Sequence, residues 1–179
     1  MKKTTKILTL GILFLFTFTL QLSAQKCKFD YNKTDPITGE ATKGTLLKVD
    51  TKVWNGSNPF HRSIGISRIG DAFWLEIEII IAGNMREIIL KDDPFIIKLS
   101  NGETITILSY SEVLPIQQAT AFVYTSYTAK YKIDAVSLQK IAENPPTFYR
   151  INIDEKTYDK ELVGKIQNKI SQAAACILQ

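Results

Sequence analysis

Trp74, Glu76 and Glu78 stand at alternate positions of the stretch AFWLEIEIII at 72–81. Alternation along a strand puts all three on one face, with successive Cα atoms about 6.8 Å apart. Carboxylate pairs at roughly 5–9.5 Å serve glycoside hydrolysis, one acid protonating the leaving oxygen while the other acts as base or nucleophile. An aromatic plate beside two acids is also a surface on which a sugar can stack. An enzyme, however, needs a cleft rather than a face, and acids on the outer side of a strand are ordinarily just solvated. Trp74, Glu76 and Glu78 therefore stand as a candidate ligand-binding face, with no residue assigned a catalytic role.

Other chemistry is sparse. The single histidine, His61, lies in Pro59-Phe60-His61-Arg62-Ser63, and any Ser-His-Asp triad would have to use it. The nearest serine motif, Gly65-Ile66-Ser67-Arg68-Ile69-Gly70, lacks nucleophile-elbow spacing and sits in a strand pattern. His61 reads as a surface or loop residue. One histidine and two remote cysteines do not make a zinc set. Asp30, Asn32, Asp35 and Glu40 cluster, but without the EF-hand order, and read as solvated turn residues. No phosphate-binding glycine loop is present, so no cofactor and no metal are expected. Tyr127 and Tyr131 share a strand face with hydroxyls expected at the core's edge, and Tyr124 completes that aromatic group. The sequons Asn32-Lys33-Thr34 and Asn55-Gly56-Ser57 read as turns.

The start of the chain says where this chemistry would operate. Lys2, Lys3 and Lys6 form a basic n-region, Ile7 to Leu22 is a 16-residue uncharged run, and Ser23-Ala24-Gln25 brings small and polar residues. That order is a secretory signal peptide, 1–24. Its apolar run is shorter than the roughly 20 residues a membrane-spanning helix needs, so no stable membrane anchor is expected after cleavage. Lys26 before Cys27 argues against lipidation. The terminal Cys176-Ile177-Leu178-Gln179 matches a prenylation box by letter only, since prenyl transfer is cytosolic. Without Lys2, Lys3 and Lys6 the chain holds 19 Lys+Arg against 18 Asp+Glu. The basic balance belongs to the signal, which removes the usual inference to nucleic acid.

Cleavage after Ala24 leaves 155 of the 179 residues, 25–179, enough for a single strand-rich domain. Its two cysteines, Cys27 and Cys176, sit at opposite ends; an oxidising compartment and an even count predict a disulfide between them. The segment 26–43 is polar and reads as an ordered loop or arm. Alternation predicts strands at 44–54, 60–69 and 72–81, with a further one at 85–91. Asn101-Gly102 between two β-branched runs predicts a hairpin. A long strand is expected at 121–133, then a helix at 135–143 capped by Asp134, and a strand at 147–153. A final helix from about Asp159 to Ile177 carries the stripe Leu162, Val163, Ile166, Ile170, Ala173, Ala174 and Ile177. The fold expected is α+β: a mainly antiparallel twisted sheet or sandwich, with a short helix and the C-terminal helix packed on it.

The segments KCKFDYNKTDPITGEATKG, at 26–44, and YKIDAVSLQKIAENPPTFYRINI, at 131–153, resemble uncharacterised small exported proteins of Gram-negative bacteria. The resemblance implies an envelope location and no particular activity. The expected function is a non-enzymatic binding or interaction module of the periplasm or cell exterior, its partner a protein or glycan of the envelope. The alternatives are a small glycan-active hydrolase using the acid pair, and a structural accessory subunit of an envelope complex. The export reading predicts that N-terminal sequencing of the protein from an envelope fraction starts at or within a few residues of Gln25. Recovery of an intact Met1 from a soluble pool would overturn it.

Overall fold

The structure, a computed structural model, describes residues 27–50, 60–119 and 123–179. The signal-peptide reading, the end of the expected strand 44–54 and the loop at 55–59 lie outside the described residues. In chain order the elements are β1 (Tyr31–Thr34), β2 (Ala41–Lys48), β3 (Phe60–Ile69), β4 (Ala72–Ala82), β5 (Pro94–Leu99), β6 (Thr104–Leu108), β7 (Ile116–Ala119), β8 (Val123–Ile133), α1 (Ala135–Glu143), β9 (Pro146–Ile153), β10 (Lys156–Glu161) and α2 (Lys165–Leu178).

Alternation in sequence becomes alternation in burial. On β4, Leu75, Ile77, Ile79 and Ile81 are buried, while Trp74, Glu76 and Glu78 take the other face. β4 is central in a six-stranded sheet ordered β1-β2-β3-β4-β8-β7. A second sheet, β10-β9-β5-β6, turns Phe95, Ile97, Leu99, Ile105, Ile107, Tyr149, Ile151 and Ile153 inward. All pairings are antiparallel. The sheets curl toward each other and meet where β6 runs into β8, through the bridge Ser109–Tyr131. Inside, the Phe95 ring stacks on Tyr131 at 4.8 Å and tilts against Tyr149 at 5.4 Å. Each fully buried Ile, Leu or Phe side chain contributes roughly 1.5–3 kcal/mol of transfer free energy.

Local chemistry places the ends of the elements. Asp134 caps α1, its Oδ1 accepting from the Ser137 N–H at 2.8 Å; such a cap contributes about 1 kcal/mol. Gly102, at φ 89°, supplies the left-handed residue that closes the β5–β6 hairpin. Tyr127 donates its hydroxyl to the Glu87 carbonyl at 2.9 Å, whereas the buried Tyr131 hydroxyl has no partner among the described residues.

Three expectations are corrected, and one strand was not expected. The arm 26–43 is not a loop throughout: Tyr31–Thr34 pairs with Ala41–Gly44 as a hairpin around the Asp35 turn. The stretch 85–91 forms no continuous strand, only a bridge at Ile89 to Val113. Residues 116–119 are a strand that no burial pattern announces, being exposed at Ile116, Gln117 and Gln118. The last helix begins at Lys165 rather than near Asp159, because Lys156–Glu161 pairs with β9 instead. Leu162 is consequently buried outside the helix, and Val163 is exposed.

The second helix lays Ile170, Ala173, Ala174 and Ile177 into the core, against β2, β3, β9 and α1. Cys176 on its last turns bonds to Cys27, with Cα atoms 5.5 Å apart across 149 positions of sequence. Closing so long a loop stabilises by up to about 5 kcal/mol in the chain-entropy model. Reduction of the native protein is expected to loosen residues 27–30 and the last turns of α2 before the sheets, read by hydrogen exchange. Uniform loss of protection, sheets included, would contradict that order.

Candidate binding groove

The residues singled out in the sequence come first. Glu76 pairs with Lys130 at 3.6 Å. Glu78 pairs with Arg62 at 3.3 Å and accepts from Ser63 Oγ at 3.1 Å. Trp74 lies under Tyr110, ring edge to ring face, at 4.8 Å. The face therefore exists as the alternation implies, with each acid matched to its own cation. None of the cavities described here is lined by Trp74, Glu76 or Glu78.

His61 is not the surface or loop residue expected. It is buried in β3, and the register irregularity between His61 and Ser63 turns it toward the core. Its Nδ1 lies 2.6 Å from the Tyr149 hydroxyl, and its backbone N–H donates to Asp50 Oδ2 at 2.9 Å. Among the described residues, no serine or cysteine side chain takes part in that network. Asp35 accepts the Ile37 and Thr38 N–H groups, which keeps its carboxyl below the ordinary range. No group of three or more His, Cys, Asp or Glu among the described residues is placed to hold a metal ion.

The concave feature lies elsewhere, between β2 and α2. Two depressions of about 350 and 360 Å³ adjoin each other and share Lys169. One is lined by Lys28, Asp30, Leu46, Leu47, Ala173 and Cys176 among others. The other is lined by Lys48, Asp50, Lys160, Glu161, Lys165 and Ile166 among others. The amphipathic stripe of α2 creates this groove. Burying Ile170 and Ala173 on the sheet lays Lys165 and Lys169 along the seam, and the Cys27–Cys176 bond holds Lys28 at its far end.

The charges are unbalanced. Five lysines face three carboxylates, and two of those carboxylates are already engaged. Asp30 accepts from the Leu46 N–H at 2.6 Å. Asp50 is ion-paired to Lys160 and also takes the His61 N–H. All 18 Asp and Glu of the chain lie among the described residues, and none pairs with Lys28, Lys48, Lys165 or Lys169. The first turn of α2 carries no acid, and its N-cap, Gly164, offers no side chain. Cations there oppose the positive end of the helix dipole, so the local arrangement is left for something else to satisfy. None of this was visible in the sequence, because the lysines come from separate segments of the chain.

Behind the groove, burial holds the His61 pKa at about 4, against an ordinary 6.5; Lys160 adds to the depression and Asp50 opposes it. No protein-family model, curated protein or solved structure matches this chain.

The buried imidazole makes stability depend on pH. Between pH 6.5 and about 4 the unfolded chain binds a proton at His61 that the folded chain refuses. Stability is therefore full above 6.5 and falls on acidification through that window, by at most about 3 kcal/mol. Chemical denaturation at pH 7 and at pH 4.5 should show a smaller loss in His61→Gln than in the wild type. Equal losses would mean that another group carries the dependence.

Proposed function

We propose that this chain is a non-enzymatic binding module that works outside the cytoplasm, in the bacterial envelope or at the cell exterior. Its ligand is a multivalent anion, bearing phosphate or carboxylate groups, held in the groove between β2 and α2. One observation carries the reading: four lysines with no carboxylate partner converge on a groove whose own Asp30 and Asp50 are already engaged. The stretch of α2 from Lys165 to Cys176 is about 16 Å long at 1.5 Å per residue, which suits an extended anion more than a single small one. Leu46, Leu47, Ile166 and Ala173 add apolar wall between the charges. An acidic glycan or a phosphate polymer has this character.

The disulfide supports an oxidising compartment. No helix among the described residues is long and apolar enough to cross a membrane. The hydrolase reading draws less support. Glu76 and Glu78 are each matched to a cation, and the single histidine is bonded to a core tyrosine.

Titration calorimetry with inorganic tripolyphosphate and with an oligogalacturonate tests the groove, a neutral oligosaccharide serving as control. At least one anion should bind, and binding should weaken as salt screens the lysines. The pair Lys165→Glu and Lys169→Glu should weaken it by about tenfold or more, because two attractive charges become repulsive. Binding by neither anion, or equal binding by the variant, would contradict the proposal.

A further inference from the structure

From Val113 to Ala129 the sequence VLPIQQATAFVYTSYTA holds 17 consecutive residues without a charge, the longest such run after the N-terminal segment. Part of this run is strand β7, which among the described residues is the outermost strand of the six-stranded sheet and pairs with β8 alone. Ile116, Gln117 and Gln118 are exposed, although successive residues of a strand point to opposite faces. All three stay exposed, although Gln117 Nε2 donates to the Met85 carbonyl at 3.4 Å and Gln118 Oε1 accepts from the Tyr124 hydroxyl at 2.5 Å. Aliphatic side chains gather around it: Leu114 is 64% exposed, Ile116 57% and Val123 48%.

An unpaired strand edge presents a row of free N–H and C=O groups, and natural edges are normally blunted by charge, proline, bulges or cover. The other terminal strands follow that rule. β1 carries Lys33. β10 carries Lys156, Asp159, Lys160 and Glu161. β6 runs into β8 through Ser109 and Tyr131. Strand β7 has no charge on it, and its pairing with β8 shows no bulge.

We infer that β7 is a self-association edge: a second copy of this chain pairs its own β7 antiparallel to the first, making the six-stranded sheet continuous across a two-fold axis. The absence of charge selects this occupant. A two-fold contact sets every residue of the edge against the same edge, so a lysine such as Lys33 would face its own kind, whereas an uncharged edge meets itself without repulsion. The register that places Gln117 opposite Gln117 of the second copy keeps both amide side chains on one face beside the axis, where each can donate and accept. Ile116, Leu114 and Val123 then lose exposure at the margin of the contact. This inference is independent of the anion groove, which lies at the opposite side of the sheet order, at β2.

Sedimentation velocity on the secreted, disulfide-intact chain, up to about 1 mM where a Kd of that order leaves a large share associated, reads the prediction. A concentration-dependent dimer is expected. Ile116→Lys, which brings two like charges to the axis, should give a monomer with an unchanged circular dichroism spectrum. Gln117→Pro, which removes a backbone donor from the edge, should do the same by another route. A wild type that stays monomeric throughout would overturn the inference. So would a dimer that survives both folded variants, since it would use another surface.

Discussion

The seating of α2 against the sheets is the interaction on which the rest depends. Without it the inward faces of β2, β3 and β9 would lack the cover that Ile170, Ala173, Ala174 and Ile177 supply. Apolar burial of this kind is non-directional, so it places the helix without fixing its ends. The ends are fixed by other means. Leu162 is buried and donates its N–H to the Thr147 carbonyl, which anchors the approach to the helix. The Cys27–Cys176 bond ties its last turns to the N-terminal segment. The groove is the seam left along the helix once these constraints act together.

That seam joins a polar network of the core to the lysines. Asp50 sits between Lys160 at the groove and the backbone of His61, and His61 in turn meets Tyr149 inside the second sheet. Neutral imidazole suits this position, because a charge there would be poorly solvated. The same pairing neutralises Lys160 alone and leaves the other four groove lysines without a carboxylate partner. Stability of the core and the positive character of the seam are therefore coupled through one carboxylate. The Trp74 face shows the opposite arrangement: Lys130 and Arg62 answer Glu76 and Glu78 locally, and surface pairs of this type add little to stability.

How much of this was legible follows from what each element depends on. β4, the Asn101-Gly102 hairpin and the Asp134 cap are local patterns, and the structure has them where the sequence implies. The disulfide was legible from the even cysteine count and the expectation of export. β1, β7 and β10 were not, because they are held by pairing rather than burial; KTYDKE in β10 has the charge content of a helix face. His61 was misread because a one-residue irregularity in β3 changes the face it occupies, and its partner Tyr149 is 88 positions away. The groove could not be read at all. Lys28, Lys48, Lys160, Lys165 and Lys169 become neighbours only when α2 packs beside β2.

The central claim is a location as much as an affinity: anions gather between β2 and α2, away from the Trp74 face. A heteronuclear NMR titration of the disulfide-intact protein with tripolyphosphate at low salt tests it most directly. The account predicts amide shifts concentrated in Thr45–Asp50 and Lys165–Cys176, with the Phe73–Glu78 stretch unmoved. Shifts centred on Trp74, Glu76 and Glu78, or none above those of a neutral solute, would contradict it.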